Sequence, residues 1–344
     1  MAKDRRPRLD IKRGAIDLSH GAGGRATAQL IEEVFAPAFG ASGGGDDFAA
    51  IELNAGRVVV STDGHVVSPL FFPGGDIGAL AVNGTINDVA MAGARPLYLT
   101  AAFIIEEGFP LSELARIAQS MGRAAKAANV RIVTGDTKVV ERGKGDGVFI
   151  ATTGIGVAPL NVAVSGANIR PGDSVIVSGS IGDHGIAIMA LREGLSFEAE
   201  IISDTAPLHG LVEAMFASGA EIRALRDPTR GGLAAVLNEF AQQSGVGFRI
   251  EEAAVPVKPA VSGACELLGL DPFNVACEGR LVAVCAASDA ERLLAAMRAH
   301  ALGREAAIIG GAVEDAHRFV QMKTAIGGNR IVAWLSGEQL PRIC

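Results

Sequence analysis

Apolar residues recur along the chain at two spacings. Blocks of period two alternate with blocks of period near 3.6, and glycine or proline usually stands between them. In the first half this predicts strands over Val58–Ser61, Leu97–Ile105, Val130–Thr134 and Gly147–Ile155. It predicts helices over Ile77–Gly93 and Leu111–Ala128, the latter clearly amphipathic with Ser112 as its N-cap. Ahead of these, the glycine-rich LSHGAGG leads into a helical pattern carried by Leu30, Ile31, Val34 and Phe35. After NIRPGD a second series begins. Strands are expected at Val175–Ser178, Phe248–Glu251, Leu281–Cys285 and Ala306–Val313, and a last apolar strand around Ile331–Leu335. Helices are expected at His184–Glu193, Ala206–Ser218, Gly232–Ser244 and Ala290–Ala301. Such alternation predicts an α/β fold in α+β layers, with the strand order left open.

The same pattern divides the chain. Residues 1–14 read as a mobile basic arm, 15–160 as a first domain, 161–335 as a second α/β domain and 336–344 as a flexible tail. The boundary is placed near Leu160–Pro171, where proline and glycine cluster. The tail reads SGEQLPRIC, and Gly337 and Pro341 argue against a helix there. Fully extended, it reaches about 30 Å. The uncharged stretch Gly147–Ile169 resembles a membrane span in length. It is broken by Gly154, Gly156, Pro159, Asn161 and Gly166, so it reads as strand, turn and strand.

Composition narrows the function classes. The 344 residues suffice for about two domains, and 49% apolar against 20% charged residues excludes a disordered chain. A formal charge of −7, with one Trp and one Tyr, argues against nucleic acid as a partner. The basic start is followed by no apolar segment, so a soluble, cytoplasmic protein without membrane contact is expected. Cys265, Cys277, Cys285 and Cys344 show no metal-binding spacing, and the first three sit among apolar residues.

Candidate chemistry lies in a repeated arrangement of acidic residues beside glycine, expected in loops where apolar elements end. They are Asp46 and Asp47 in GGGDDFAAI, Asp63 in VVVSTDG, Asp88 with Asn83 in NGTINDVAMAG, Asp136 in VRIVTGDTKV and Asp227 in ALRDPTRGG. Each alone is an ordinary turn residue. Together they suit a Mg²⁺–nucleotide cradle, because Mg²⁺ takes hard oxygen ligands from a few carboxylates plus substrate phosphates. GxxxxGK[ST] and GxGxxG are absent. Lys138 after TGDT is either an exposed strand lysine or a phosphate-neutralising group. Glu278 in VACEGR is either a turn carboxylate or a general base. Cys344, at the end of a Gly/Pro-containing tail, is an exposed thiol able to travel.

GDDFAAI, STDG, NGTINDVAMAGARP, VTGDTKVV, DPTRGGLA and the terminal PRIC together resemble the HypE family of hydrogenase maturation proteins. That family lies in the superfamily of aminoimidazole ribonucleotide synthetase, selenophosphate synthetase and thiamine monophosphate kinase. The resemblance spans about Leu18 to Cys344, and the PRIC end singles out this family within it. It implies two α/β domains, the first binding ATP and forming a homodimer through its strands. It implies that a carbamoyltransferase, HypF, places a carboxamide on the sulfur of Cys344. ATP-dependent dehydration then turns this into a thiocyanate, whose cyano group passes to iron on the HypC–HypD complex for the NiFe site. On this reading Cys344, Glu278 and Lys138 are catalytic, the last two as first and second candidate for the base or acting as a pair. Asp46, Asp63, Asn83, Asp88, Gly135, Asp136, Thr137 and Asp227 hold ATP, and Asp46, Asp63, Asp88, Asp136 and Asp227 face Mg²⁺. Two rivals stand beside it. One is another kinase or synthetase of the superfamily, among which selenophosphate synthetase is disfavoured because no Cys precedes Cys265. The other is a non-catalytic carrier presenting a thiol on its tail.

Overall fold

The computed structural model of the chain describes residues 8–22, 25–40, 53, 56–195, 197, 200–334 and 342–344. Two sheets organise it. The first has four strands in the order Arg57–His65, Val148–Ala158, Arg95–Glu106, Arg131–Val140. The last two run parallel, joined by the helix Leu111–Ala127, and the other neighbours are antiparallel. The second has seven strands in the order Asn329–Ile331, Val320–Lys323, Gly247–Glu251, Ala307–Val313, Ser174–Val177, Val282–Cys285, Ile222–Arg226.

The helix Ile77–Met91 joins the two halves. It begins at Asp76, whose carboxylate accepts from the N–H groups of Gly78 and Ala79 at 2.9 and 3.0 Å. Its sequence, IGALAVNGTINDVAM, is apolar or small on nearly every side, and nearly every residue is buried. Leu80, Ala81 and Ile86 belong to the core of the first sheet, while Ala90 and Met91 join a core on the second sheet. Another core fills the opposite side of the second sheet around Phe248, Leu233 and Phe240. Residues 8–14 of the expected arm lie against the first layer. Leu9 and Ile11 pack on its core, and the Leu9 N–H donates to Glu33 Oε2 at 3.0 Å.

Several expectations need correction. Ser112 is not an N-cap: Pro110 holds that place with extended backbone and no side-chain bond, and Leu111 is the first helical residue. The stretch after Gly147 forms one strand ending at Ala158, not two. The strands Ile222–Arg226 and Val320–Lys323 and the helix Pro259–Leu268 were not foreseen. The first two are only five and four residues long; Val320–Lys323 pairs on both sides, while Ile222–Arg226 lies at the edge of the sheet against Val282–Cys285. Asp63, Asp88 and Asp136 do not lie in loops: they stand inside a strand, a helix and a strand. Among the described residues, no helix is long and apolar enough to cross a membrane.

Candidate active site

Strand pairing decides which candidates can meet. Across the first sheet, Thr137 pairs with Phe103, Phe103 with Ile150 and Ile150 with His65, so these four share one face. That face is covered by the helix Ile77–Met91: the Thr152 hydroxyl donates to the Ala81 carbonyl at 3.2 Å. Asp63, two residues from His65, is on the same side. Asp136 and Lys138 flank Thr137 and therefore point to the opposite face. There they form an ion pair at 2.9 Å, with side chains 59% and 65% exposed. Lys138 lowers the Asp136 pKa by hydrogen bonding.

The covered face holds the acidic cluster. Gly84, in the middle of the helix, marks its centre. A Cβ placed there would lie 3.2 Å from His65 Cε1, 3.7 Å from Glu278 Oε2 and 3.8 Å from Asp63 Oδ2. Absence of a side chain at Gly84 thus leaves an opening ringed by these three groups. One turn along, Asp88 accepts from the Ser61 hydroxyl at 2.8 Å. Asp227 follows the strand Ile222–Arg226 and is buried. The Cys277 N–H donates to the Pro228 carbonyl at 2.9 Å, which ties the DPTRGG loop to the ACEGR loop carrying Glu278.

Glu278 is 3% exposed, and among the described residues its Oε1 has no hydrogen-bond partner. Its backbone is fixed from two directions. Its N–H donates to Asp204 Oδ1 at 3.0 Å, and its carbonyl accepts from Asn87 Nδ2 at 3.2 Å. Asn87 also donates to the Ala206 carbonyl and accepts from the Leu208 N–H. Burial raises the Glu278 pKa well above the usual carboxylate range, and the charges of Asp227, Asp204, Asp63 and Asp88 add to it. Burial, then Asp88, push Asp227 up to about 7. Burial pushes Asp204 up to about 6, against the opposing pull of Arg280. Asp88 is raised by burial as well. Desolvation lowers the His65 pKa, partly offset by Asp63, so this ring is neutral at pH 7.

A set of carboxylates that repel one another, with oxygens of Glu278 and Asn83 unpartnered among the described residues, is a site short of positive charge. Among the described residues, no three His, Cys, Asp or Glu side chains converge closely enough to hold a metal by themselves. The donor set therefore fits a cation that takes a few carboxylate oxygens and completes its shell from a bound phosphate. It also makes stability fall with pH. Asp227 has its ordinary value of 3.8 unfolded and about 7 folded, so the folded state holds the extra proton between those values. Its stabilising share is complete below the unfolded value and lost as pH rises through about 7. Thermal midpoints of the ligand-free protein are expected to drop from pH 5 to pH 8. Asp227→Asn should flatten that slope, and an unchanged slope would remove Asp227 from the repulsive cluster.

The C-terminus is seated beside this cluster. The Val66 N–H donates to the Cys344 carbonyl at 3.0 Å, and the Ser68 N–H to the Arg342 carbonyl at 3.1 Å. Residues 342–344 thus lie along residues 66–68, directly after His65. The Ile343 side chain is buried in the first core, and Cys344 is half-buried at its edge. Arg342 pairs with Asp146 and donates through Nε to the Val66 carbonyl.

Of the sequence candidates, Asp63, Asn83, Asp88, Asp227, Glu278 and Cys344 are thus neighbours of one region. Asp136 and Lys138 are on the other side of the sheet, so Lys138 and Glu278 do not form a pair within one chain. Thr137 faces inward but is buried in the sheet. Gly135 serves strand contact: an added Cβ would meet the Ala101 carbonyl oxygen at 2.2 Å. Asp46 lies outside the described residues. Sequence reasoning missed His65, Asn87, Asp204 and His184. His65 follows the quoted STDG directly, which was the available signal.

Comparison with known proteins places relatives beside this geometry. The AIR synthase related protein family matches the chain in two blocks, its N-terminal domain over residues 45–158 and its C-terminal domain over 170–323. Carbamoyl dehydratase HypE of Azotobacter vinelandii is 65% identical over 339 residues, 98% of this chain and 99% of that protein. The crystal structure of a hydrogenase maturation protein HypE in complex with ATP superposes with a TM-score of 0.91 at 48% identity. It covers 95% of this chain and 99% of that one. A HypE chain from a HypE–HypF complex superposes with a TM-score of 0.79 at 50% identity, covering 89% and 99%.

Proposed function

The chain belongs to the HypE carbamoyl dehydratases of the AIR synthase related family, and on that premise we propose that its own C-terminal tail is its substrate. It is an ATP-dependent carbamoyl dehydratase acting in hydrogenase maturation. A carboxamide on the Cys344 sulfur loses the elements of water to become a thiocyanate. The observation that carries this reading is the seating of Cys344 against Val66, the residue next to His65, which with Asp63 and Glu278 rings the opening at Gly84.

The chemistry follows from the residues. A carboxamide oxygen is a poor leaving group. Transfer of the ATP γ-phosphoryl to that oxygen forms an O–P bond, breaks the bond to ADP and makes phosphate the leaving group. Two N–H protons must go as the C≡N bond forms. Glu278, buried at the centre of the cluster, takes one of them, and the departing phosphate carries the other. Burial raises the proton affinity of this carboxyl, and the fixed Glu278 backbone holds it in place. Asp63, Asp88 and Asp227 would hold Mg²⁺ together with the ATP phosphates. Bound there, Mg²⁺ supplies charge neutralisation for the transferring phosphoryl group and lowers the proton affinity of the carboxylates around it.

Lys138 and Asp136 enter through a second copy. The face they share carries Val58, Val60 and Ile104, exposed by 51, 61 and 43%. A homodimer packed through this face buries those side chains and brings each Lys138 toward the partner's nucleotide. HypF supplies the carboxamide, and a HypC–HypD complex accepts the cyano group. The buried thiols of Cys265, Cys277 and Cys285 suit a reducing cytoplasm.

The test is the intact mass of the C-terminal peptide after incubation with the carbamoyltransferase, carbamoyl phosphate and Mg–ATP. A carboxamide on Cys344 is expected, losing one water only when ATP is present. Cys344→Ala should give neither product yet bind ATP normally. An unmodified Cys344 beside a demonstrably active transferase would overturn the reading in favour of a small-molecule kinase or synthetase.

A further inference from the structure

We propose that His184 is the positioning residue that seats the tail, and that residues 203–205 connect this seat to Glu278. The inference rests on Cys344 being the carbamoyl acceptor, but its geometry is independent of that reading. His184 sits on the helix Asp183–Arg192, is fully buried and meets the Phe72 ring edge-on at 5.5 Å. Its Nε2 lies 2.9 Å from the Ile343 carbonyl oxygen, and its Nδ1 lies 2.7 Å from Ser203 Oγ. A carbonyl can only accept, so Nε2 carries the hydrogen. In a neutral ring Nδ1 then accepts from the Ser203 hydroxyl. Burial keeps the ring neutral, pushing its pKa down to about 4.

The other two tail carbonyls are held as well. Arg342 O accepts from the Ser68 N–H and from Arg192 Nη2, and Cys344 O accepts from the Val66 N–H. The seat therefore grips main-chain oxygens and the Ile343 side chain. Val66 adjoins His65 in the chain, and His184 leads back toward the catalytic cluster by a second route, through residues 203–205. Ser203 Oγ accepts from the Thr205 N–H at 3.1 Å. Asp204 accepts the Glu278 N–H, and Thr205 Oγ1 accepts from Asn83 Nδ2 at 3.3 Å. Three consecutive residues thus bind the tail clasp, the base and the helix under the site. A tail that must leave to be loaded and return to react needs a hold of this kind, a few main-chain bonds that re-form in one register.

The test uses the full-length protein and two readouts. Cys265, Cys277 and Cys285 are buried, so iodoacetamide labelling followed by peptide mass reports Cys344. His184→Phe keeps the ring packing and removes the donor. Labelling of Cys344 is expected to speed up by about fivefold, the size of one lost hydrogen bond. Dehydration of pre-carbamoylated protein should slow by a similar factor with ATP affinity unchanged. His184→Gln, whose amide can donate to Ile343, should recover most of both. Labelling and dehydration both within twofold of wild type in folded His184→Phe would overturn the proposal. Should that variant fail to fold, Ser203→Ala strips Nδ1 of its donor and is expected to move labelling the same way. An unchanged rate there would overturn it equally. If wild-type protein carries no carboxamide at all, the functional reading falls, while labelling still decides the clasp.

Discussion

Glu278→Gln is expected to stop the reaction at the carboxamide. The variant should accept the carbamoyl group on Cys344 and bind ATP, and then accumulate without losing water. Removing a positioned general base costs about a hundredfold to ten-thousandfold in rate. Folding should not suffer. Among the described residues Glu278 Oε1 has no partner to lose, the backbone bonds to Asp204 and Asn87 do not involve the side chain, and a neutral amide relieves repulsion from Asp227, Asp204, Asp63 and Asp88. A thermal midpoint equal to or above that of wild type, with the carboxamide as the end product by mass, is the expected pair of results. A dehydration rate within tenfold of wild type would assign the proton to another group, and His65, whose ring shares the opening at Gly84, would be the next to test.

The sequence made the members of this site legible better than their arrangement. Asp227 was readable from the turn-like DPTRGG, in which it precedes a glycine pair, and it is found buried beside Glu278. Asp63 and Asp88 were readable as chemistry but not as geometry. Both were expected in loops, yet a strand and a helix carry them, because register and packing decide where an element stops and flanking glycines do not. Gly84 and Gly135 show the same limit. One leaves an opening that three polar groups share, and the other lets two strands approach, although both stand in motifs that read alike. TGDTK held more than was taken from it. Period two already places Asp136 and Lys138 on one face and Thr137 on the other. Which face the helices cover follows from the crossover helix Leu111–Ala127 and the strand order, and neither is local. The tail seat was out of reach for the same reason, since it joins residues 66–68, 184 and 192 to the last three.

That separation of faces leads to the second large effect. Lys138 lies on an edge strand of the first sheet and points away from the helix-covered side, while Asp63 stands on the opposite edge strand with its carboxylate toward Gly84 and Glu278. No side-chain rotation carries Lys138 through the sheet. If both Lys138 and Glu278 serve one reaction, they come from different chains. Lys138→Ala and Glu278→Gln should each be nearly inactive alone. Mixed in equal amounts and allowed to exchange subunits, about half of the dimers are heterodimers. In each of these one site combines an intact Glu278 with an intact Lys138, and the other combines both substitutions. Recovery to about a quarter of the wild-type rate is therefore expected, rising with time as subunits exchange. The covalent substrate adds an internal control, because the thiocyanate should form on Cys344 of the chain that keeps Glu278, and peptide mass tells the two chains apart. Failure to recover after exchange has been demonstrated by size or mass would mean that Lys138 acts within its own chain or not at all. The exposed Val58, Val60 and Ile104 would then need another explanation than a shared active site.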